Sequence, residues 1–209
     1  SCAEYGPGVG VTEETLPAPT SAYGVSKTAA GLLARAQGAA INREVVWLRV
    51  FSPFGPGEAP TRLVSQTIFS ALRGVDVALT GGEQTRDFLY VEDVVQALLH
   101  AAIAPRAAGE TINVCTGRET RVRDVVTTIL RLMGDPVTRC FGALPYAAGE
   151  PMRIFGTPRK AQELLGWHAR IPLEDGLRRT IQALRERTAD TNAAHTSAQP
   201  QQVRCGSSP

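Results

Sequence analysis

Cysteine and histidine are scarce in this chain of 209 residues, and their scarcity excludes two kinds of site. Only four cysteines occur and no two of them form a CxxC pair, so we expect neither a structural zinc site nor a disulfide framework. The three histidines are too few for a His-rich site, so no bound metal is expected. Reduced thiols of this kind fit a cytoplasmic protein.

A strong charge of one sign and long apolar runs are also lacking. The formal net charge is +2 and no run of lysine or arginine stands out, so we expect no nucleic-acid partner. No apolar run reaches the roughly 18 residues of a membrane helix, and the opening SCAEYGPG is no signal peptide, so we expect no membrane partner. Because there is no initiator methionine, we expect the sequence to be cut from a longer chain.

What is present is an alternation of apolar strand-like runs and amphipathic segments, which predicts an α/β fold with a mainly parallel sheet. The predicted strands cover 44–51, 76–82, 86–91, 111–117, 137–144 and 153–158. The predicted helices cover 21–40, 61–73, 92–104, 122–134, 158–166 and 173–188. Thr157 is the expected N-cap of the fifth helix. Residues 7–20 are predicted to form a loop, and the composition of 188–209 predicts a disordered tail.

The stretch SAYGVSK, at 21–27, places a tyrosine four residues before a lysine. On a helix Tyr23 and Lys27 lie one turn apart on the same face. An ammonium group beside a phenol favours the phenolate, so Tyr23 could act as a base near neutral pH. The alternative is that both side chains lie on a solvated helix face, since short motifs often occur without a function.

Six segments, in order along the chain, resemble one family. They are SCAEYG (1–6), SAYGVSK (21–27), LRVFSPFGPGE (48–58), TGGEQTRDFLYVEDVV (80–95), TINVCTGRETRVRDVV (111–126) and LLGWHARIPLEDGLRRTI (164–181). The chain resembles the NAD(P)-dependent epimerase/dehydratase family, the extended short-chain dehydrogenase/reductases that act on nucleotide sugars. The resemblance implies that residues 1–60 form the C-terminal part of a Rossmann-type doubly wound sheet and include the catalytic helix. It implies that residues 61–187 form mainly a small α/β region that binds the substrate, with segments that return to the Rossmann sheet.

The resemblance implies that Ser1, Tyr23 and Lys27 are the catalytic residues. In such enzymes the tyrosine takes a proton from a sugar hydroxyl while NAD or NADP takes the carbon-bound hydride. The lysine holds the nicotinamide ribose, and the serine bonds the same sugar oxygen. Pro53 and Phe54 are expected near the nicotinamide, and with Tyr23 and Lys27 they form the implied cofactor-binding set.

The implied substrate is a nucleotide-diphosphate sugar, and five residues are expected to bind it. They are Ser52, Arg62, Leu63, Arg86 and Arg153. Arg86 falls on a family arginine that contacts the diphosphate, and a planar guanidinium suits that contact by bidentate bonding. The alternative for Arg86 is a surface ion pair with Asp87 or Glu83. Arg62 and Leu63 fall at a helix start, where free N–H groups can bind phosphate.

At two places the sequence departs from the family pattern, and these departures limit the reactions and the part of the family fold that the resemblance implies. In the family's 4,6-dehydratases the catalytic threonine is followed by Asp and Glu, whereas Cys2 and Ala3 stand here, which disfavours dehydration. The glycine-rich dinucleotide fingerprint is absent, so the chain resembles the C-terminal two-thirds of the family unit. The strand at 44–51 should therefore have an unpaired edge.

Two hypotheses for function follow from these residues and the resemblance. The first is a nucleotide-sugar 4-epimerase or 4-ketoreductase, which share the same three catalytic side chains and are not distinguished by this sequence. The second is a non-catalytic remnant or a nucleotide-sugar binding module. The resemblance also implies a homodimer, formed by a four-helix bundle that includes the helix carrying Tyr23.

Overall fold

The computed structural model describes residues 1–195, with side chains described up to 189. Six α-helices lie within this range: α1 (Ala22–Ala40), α2 (Leu63–Leu72), α3 (Val91–Ile103), α4 (Val122–Leu132), α5 (Arg159–Leu165) and α6 (Leu173–His195). A 3₁₀ turn, Cys2–Glu4, precedes them and is called the N-terminal turn below. Within residues 1–195, no helix combines the length and the apolar character needed to cross a bilayer.

The strands are short and most of them pair in parallel. They are β1 (Gly8–Val11), β2 (Trp47–Val50), β3 (Pro53–Phe54), β4 (Val77–Leu79), β5 (Thr85–Arg86), β6 (Leu89–Tyr90), β7 (Thr111–Val114), β8 (Thr120–Arg121), β9 (Arg139–Phe141) and β10 (Arg153–Gly156). One sheet has the order β1-β10-β5-β8, and β2-β7, β3-β6 and β4-β9 form separate pairs. In the part of the chain that the structure describes, only β5 and β8 run antiparallel, so the predicted α/β fold with a mainly parallel sheet is confirmed.

The strand predicted at 44–51 is β2, and it has one paired edge. Its register with β7 runs from Trp47 opposite Thr111 to Val50 opposite Val114. No second strand of residues 1–195 pairs with β2, in agreement with the open edge that the sequence predicts. Unpaired backbone groups on such an edge can accept a further strand.

Two apolar clusters hold the helices to the strands. In the first, α2, α4 and α6 pack together, with Ile68, Ile129 and Leu184 fully buried. In the second, β7 packs against α3 and α5, with Ile112 and Ala161 fully buried. This arrangement fixes the loop that follows β2, because the strand enters the second cluster and the helix after the loop enters the first.

The region 7–20 contains a strand where the sequence predicts only a loop. β1 pairs in parallel with β10, which places Val11 opposite Gly156. Glycine-rich segments have little tendency to form strands on their own. The pairing with a distant part of the chain therefore makes this strand, and a local pattern could not predict it.

The start of α5 also differs from the prediction. Pro158, not Thr157, is the N-cap residue. The Thr157 hydroxyl donates instead to the carbonyl oxygen of Gly10, at 3.1 Å. The side chain that looked like a helix cap therefore attaches β10 to β1.

The last helix is longer than predicted. α6 continues to His195, whereas the sequence predicts a helical end at Thr188 and a disordered tail from there. Helix growth adds one hydrogen bond for each residue that is fixed, and the alanines after Thr188 favour it. The rest of the predicted tail, 196–209, lies outside the described residues.

Three glycines bring α1 close to its neighbours. Gly24, Gly31 and Gly38 follow one another at seven-residue spacing and are all buried on one face of the helix. A Cβ atom at Gly24 would lie 2.3 Å from the carbonyl oxygen of Ala3, and one at Gly31 would lie 2.8 Å from the ring of Trp47. The helix can therefore contact the N-terminal turn and β2 only because these positions carry no side chain.

We predict that Gly24→Ala lowers the free energy of unfolding by about 1–3 kcal/mol, because the new methyl group must push the N-terminal turn away from α1. Helix propensity alone would give the opposite sign, a gain of roughly 0.5–1 kcal/mol. Urea unfolding measures the difference. Gln37→Ala, at an exposed position of the same helix, is the control and should change the stability by less than about 0.5 kcal/mol. A more stable Gly24→Ala variant would contradict the close contact.

Candidate active site

A cavity of about 890 Å³ opens between α1, β2 and the loop at 52–59, and is called the main cavity below. Its walls include all three residues expected to be catalytic, Ser1, Tyr23 and Lys27. They also include the loop residues Pro53 and Phe54. The structure thus brings every residue of the predicted catalytic and cofactor-binding sets to one space.

Tyr23 and Lys27 lie side by side on the first turns of α1. The N-cap Ser21 accepts a hydrogen bond from the amide of Gly24 at 3.1 Å, which fixes where the helix begins. The ammonium nitrogen of Lys27 is 5.4 Å from the centre of the Tyr23 ring. The Tyr23 side chain is 57% exposed, so its hydroxyl is open to a ligand in the main cavity.

Ser1 is held by the N-terminal turn. Its hydroxyl oxygen accepts a hydrogen bond from the amide of Ala3 at 3.3 Å. Ala3 is also the residue that touches Gly24, next to Tyr23. The turn therefore carries Ser1 and contacts the helix that carries the phenol, which places Ser1 and Tyr23 on the wall of the same cavity.

Glu4 is a buried residue at this site that the sequence analysis missed. Its carboxylate accepts hydrogen bonds from the Nε of Arg49 at 2.9 Å and from the indole nitrogen of Trp47 at 3.1 Å. Its side chain also bonds the backbone nitrogen of Ser1, at 2.8 Å. The spacing of Ser1 and Glu4, an S-x-x-E capping pattern, is the sequence signal that could have found it.

A second cavity of about 310 Å³ continues from the main cavity along the start of α2. The two cavities share Ser52, Pro53, Phe54, Glu58 and Arg62 on their walls. The second cavity is further lined by Leu63 and Arg86. Four of the five residues expected to bind substrate therefore lie together here. The two cavities adjoin each other along the shared wall and are together called the groove below.

Glu58 is the other groove residue that sequence reasoning missed. Burial raises the pKa of its carboxyl group. The Ser65 hydroxyl donates to it at 3.3 Å, and the Arg62 guanidinium lies 3.6 Å away. A carboxyl group whose pKa is raised at the junction of the two cavities can hold a proton closer to neutral pH than an exposed one. No motif in the sequence marks it.

Arg86 is anchored, but not by the partners considered from the sequence. Its guanidinium donates to the carbonyl oxygen of Pro151 at 2.6 Å and to the carboxylate of Glu150. Asp87 is buried and accepts hydrogen bonds from the amide and hydroxyl of Thr116 instead, and Glu83 bonds other arginines. The proposed surface pairing with Asp87 or Glu83 is therefore wrong, because Glu150 takes that place.

Arg153 is not brought to the groove. Its guanidinium makes a bidentate contact with the Glu119 carboxylate, at 2.6 and 2.7 Å, on the exposed side of the sheet. This hydrogen bonding lowers the pKa of Glu119 to about 2. The residues that line the two cavities do not include Arg153, so of the five expected substrate-binding residues it alone lies elsewhere.

Cys2 and Ala3 occupy the positions where a dehydratase would carry two carboxyl groups. Burial raises the pKa of the Cys2 thiol. Cys2 packs against the apolar cluster formed by Tyr5, Phe51 and Ile154. The thiol is therefore a packing group rather than a proton donor or acceptor, as expected from the sequence.

Comparison with known proteins identifies the family to which this chain belongs. The sequence profile of the NAD dependent epimerase/dehydratase family matches residues 1–115. The dTDP-glucose 4,6-dehydratase of Salmonella typhimurium is 33% identical over 178 residues, which cover 82% of this chain and 49% of that protein. The chain thus spans about half the length of this relative.

Solved structures agree with the sequence comparison. MoeE5, solved in complex with UDP-glucuronic acid and NAD, is 36% identical with a TM-score of 0.83, over 90% of this chain and 63% of that one. The UDP-glucuronic acid 4-epimerase of Bacillus cereus, solved with UDP-glucuronic acid and NAD, is 28% identical with a TM-score of 0.82, over 88% and 59%. Since the family profile covers more than half of its residues, this chain belongs to the NAD dependent epimerase/dehydratase family.

Proposed function

We propose that this chain is the catalytic and substrate-binding part of a nucleotide-sugar 4-epimerase or 4-ketoreductase that uses NAD or NADP. The observation that carries the proposal is the convergence of Ser1, Tyr23 and Lys27 on one cavity, which adjoins a second cavity lined by Arg86. A binding module without catalysis would need the groove but not a phenol and an ammonium side by side within it.

The chemistry follows from what these groups can do. When a sugar alcohol becomes a ketone, the hydroxyl proton must leave together with the carbon-bound hydride, and the nicotinamide supplies the hydride acceptor. The Tyr23 oxygen takes the proton, because it faces the main cavity from the start of α1. The Lys27 ammonium, 5.4 Å from the centre of the Tyr23 ring, places positive charge beside the phenol. The Ser1 hydroxyl bonds the same sugar oxygen and holds it in place.

The walls of the main cavity suit a nicotinamide ring. Pro53 and Phe54 give an apolar surface opposite α1, and Lys27 offers donors to a ribose. Val50 adds to the apolar side. We infer that these residues hold the nicotinamide half of the cofactor and that the adenosine half lies against a part of the protein beyond this chain.

Dehydration is disfavoured although one similar protein is a dehydratase. Elimination of water from a hexose needs an acid and a base at the site in addition to the phenol. Cys2, a buried thiol with a raised pKa, and Ala3 supply neither. The two carboxyl groups that serve dehydration at these positions in the family's 4,6-dehydratases are therefore missing here, which favours reactions that need only hydride transfer and proton transfer at Tyr23.

The second cavity suits a nucleoside diphosphate. Arg86 and Arg62 provide positive charge on its walls, and the start of α2 lies there as well. The N-cap Arg62 makes no side-chain capping bond, and in the first turn the Ser65 amide bonds the Glu58 carboxylate. Ser52 lies on the wall shared with the main cavity, where the sugar would pass. We infer that the diphosphate lies between Arg86 and the start of α2.

We further propose that the complete enzyme has a dinucleotide-binding half before this chain in the sequence. The chain spans 49% of the similar dehydratase and 63% of MoeE5, and β2, which has one unpaired edge, contributes residues to the wall of the main cavity. A glycine-rich strand-turn-helix encoded upstream would support this proposal. An upstream reading frame without one would favour the non-catalytic remnant.

The complete enzyme is proposed to be a cytoplasmic homodimer. On α1, Val25, Leu32 and Leu33 are exposed, with Leu32 66% exposed, and their spacing puts them on one face. On α3, Leu99 and Ile103 are exposed in the same way. Two apolar helix faces from each of two copies would form the four-helix bundle that the family resemblance implies.

Tyr23→Phe in the complete enzyme should lower turnover on the order of 10²–10⁴-fold, because the base is lost while the ring remains. Affinity for UDP- or dTDP-sugars should not change. The measurements are product formation from a panel of UDP- and dTDP-hexoses, with NAD or NADPH, and calorimetric binding. Tyr146→Phe, outside both cavities, is the matched control and should keep full turnover. Retained turnover in Tyr23→Phe would remove Tyr23 as the base.

Arg86→Met should weaken the binding of UDP or dTDP by about tenfold, since a charge-assisted hydrogen bond to the diphosphate is lost. Calorimetry on the complete enzyme measures it. Arg159→Met is the control, because Arg159 is exposed and bonds only a neighbouring turn of α5. Arg153→Met should behave like the control. If Arg153→Met weakens binding and Arg86→Met does not, the diphosphate lies elsewhere.

Leu32→Glu combined with Leu99→Glu should convert the dimer to a monomer, because charges would be buried in the proposed bundle. Analytical ultracentrifugation gives the mass of each form. Leu144→Glu, at an exposed leucine in a loop, is the matched control and should leave the dimer intact. A monomeric unmodified enzyme, or a dimer that survives the paired substitution, would exclude this interface.

A further inference from the structure

Glu4 is a fully buried carboxylate for which the proposed chemistry gives no role. It is 1% exposed and carries three hydrogen-bond contacts, to Arg49, to Trp47 and to the backbone nitrogen of Ser1. Buried charges are costly unless they are paired and hydrogen-bonded. A carboxylate that is fully paired next to a proposed catalytic serine therefore has a structural reason to be there.

We propose that Glu4 is a positioning residue that sets the distance between the Ser1 hydroxyl and the Tyr23–Lys27 pair; this inference rests on the proposed function. Glu4 lies at the end of the N-terminal turn that begins after Ser1. Its carboxylate bonds two side chains of β2, Trp47 and Arg49. The turn that carries Ser1 is thereby attached to the strand beneath the main cavity.

Trp47 completes the connection to α1. Its indole nitrogen donates to Glu4, while its ring packs against Gly31, one turn beyond Lys27. One side chain therefore contacts both the turn that carries Ser1 and the helix that carries Lys27. A shift of the indole would move these two elements relative to each other.

Because Arg49 is charged and buried, it requires a negatively charged side chain at position 4. The guanidinium lies over the Tyr5 ring, with 4.4 Å from its carbon to the ring centre, and is 7% exposed. The Tyr5 hydroxyl donates in turn to the side-chain oxygen of Asn113 at 2.8 Å. An uncharged side chain at position 4 would leave this buried guanidinium without its anion, so we expect the turn to shift to restore a partner.

The first test is a kinetic comparison in the complete enzyme. Glu4→Gln keeps the size of the side chain and an acceptor for Trp47 but removes the charge that pairs with Arg49. We expect kcat for sugar oxidation to fall by about 100-fold, the effect of a misplacement near 1 Å. KM for the nucleotide sugar should change much less than kcat, because Arg86 is held by Pro151 and Glu150 and bonds none of the partners of Glu4.

Asp93→Asn is the matched control. Asp93 is another buried carboxylate, and it accepts hydrogen bonds from the amides of Arg170 and Ile171 away from both cavities. This variant should lose stability and keep kcat. If Glu4→Gln loses kcat no more than Asp93→Asn does, Glu4 is merely structural and the proposal is wrong.

The second test needs no activity. In this chain labelled with ¹⁵N-tryptophan, the indole N–H signal of Trp47 should move in Glu4→Gln, whereas that of Trp167, which donates to the Asp93 carbonyl oxygen, should stay. A Trp47 signal that does not move would overturn the connection through Glu4. An unmodified complete enzyme that oxidises no nucleotide sugar would instead overturn the proposed function, so the two failures are distinguishable.

Discussion

The close approach of α1 to the N-terminal turn and to β2 is the constraint on which the site depends. It requires Gly24 and Gly31, since a methyl group at either position would overlap Ala3 or the Trp47 ring. Protein interiors are packed too densely to absorb such an overlap without movement. The position of Tyr23 relative to Ser1 therefore depends on the absence of side chains at Gly24 and Gly31, and not on an attraction between Tyr23 and Ser1.

A buried ion pair, in addition to close packing, holds the N-terminal turn in place. Glu4 and Arg49 are both buried and form an ion pair, so each offsets part of the cost of burying the other. Hydrogen bonds of this kind have a direction, whereas apolar packing has little. A turn that is attached through directional hydrogen bonds has one favoured position. For a proposed catalytic hydroxyl this fixed position matters more than the stability that the bonds add.

Much of the fold was readable from the sequence because its signals are local. The bounds of α1 and the adjacency of Tyr23 and Lys27 follow from helical periodicity. β1 was missed because it exists only by pairing with β10 at the far end of the chain. The Arg86–Glu150 pair was missed for the same reason: its partner lies 64 residues away, and nearer acids were considered instead. Contacts between distant segments produce no periodic pattern in the sequence.

The Arg86–Glu150 pair has a consequence for which anions the groove accepts. A ligand that takes the Arg86 donor bonded to Glu150 must displace that carboxylate, so its apparent affinity through this donor is reduced by the population of the broken pair. A lone monovalent ion offers no more than the carboxylate it replaces. A group with two linked phosphates can reach the guanidinium and the amides of α2 at once. If a diphosphate binds at Arg86 as proposed, the Glu150 carboxylate competes with cellular salts for the guanidinium and favours multivalent ligands over monovalent ions.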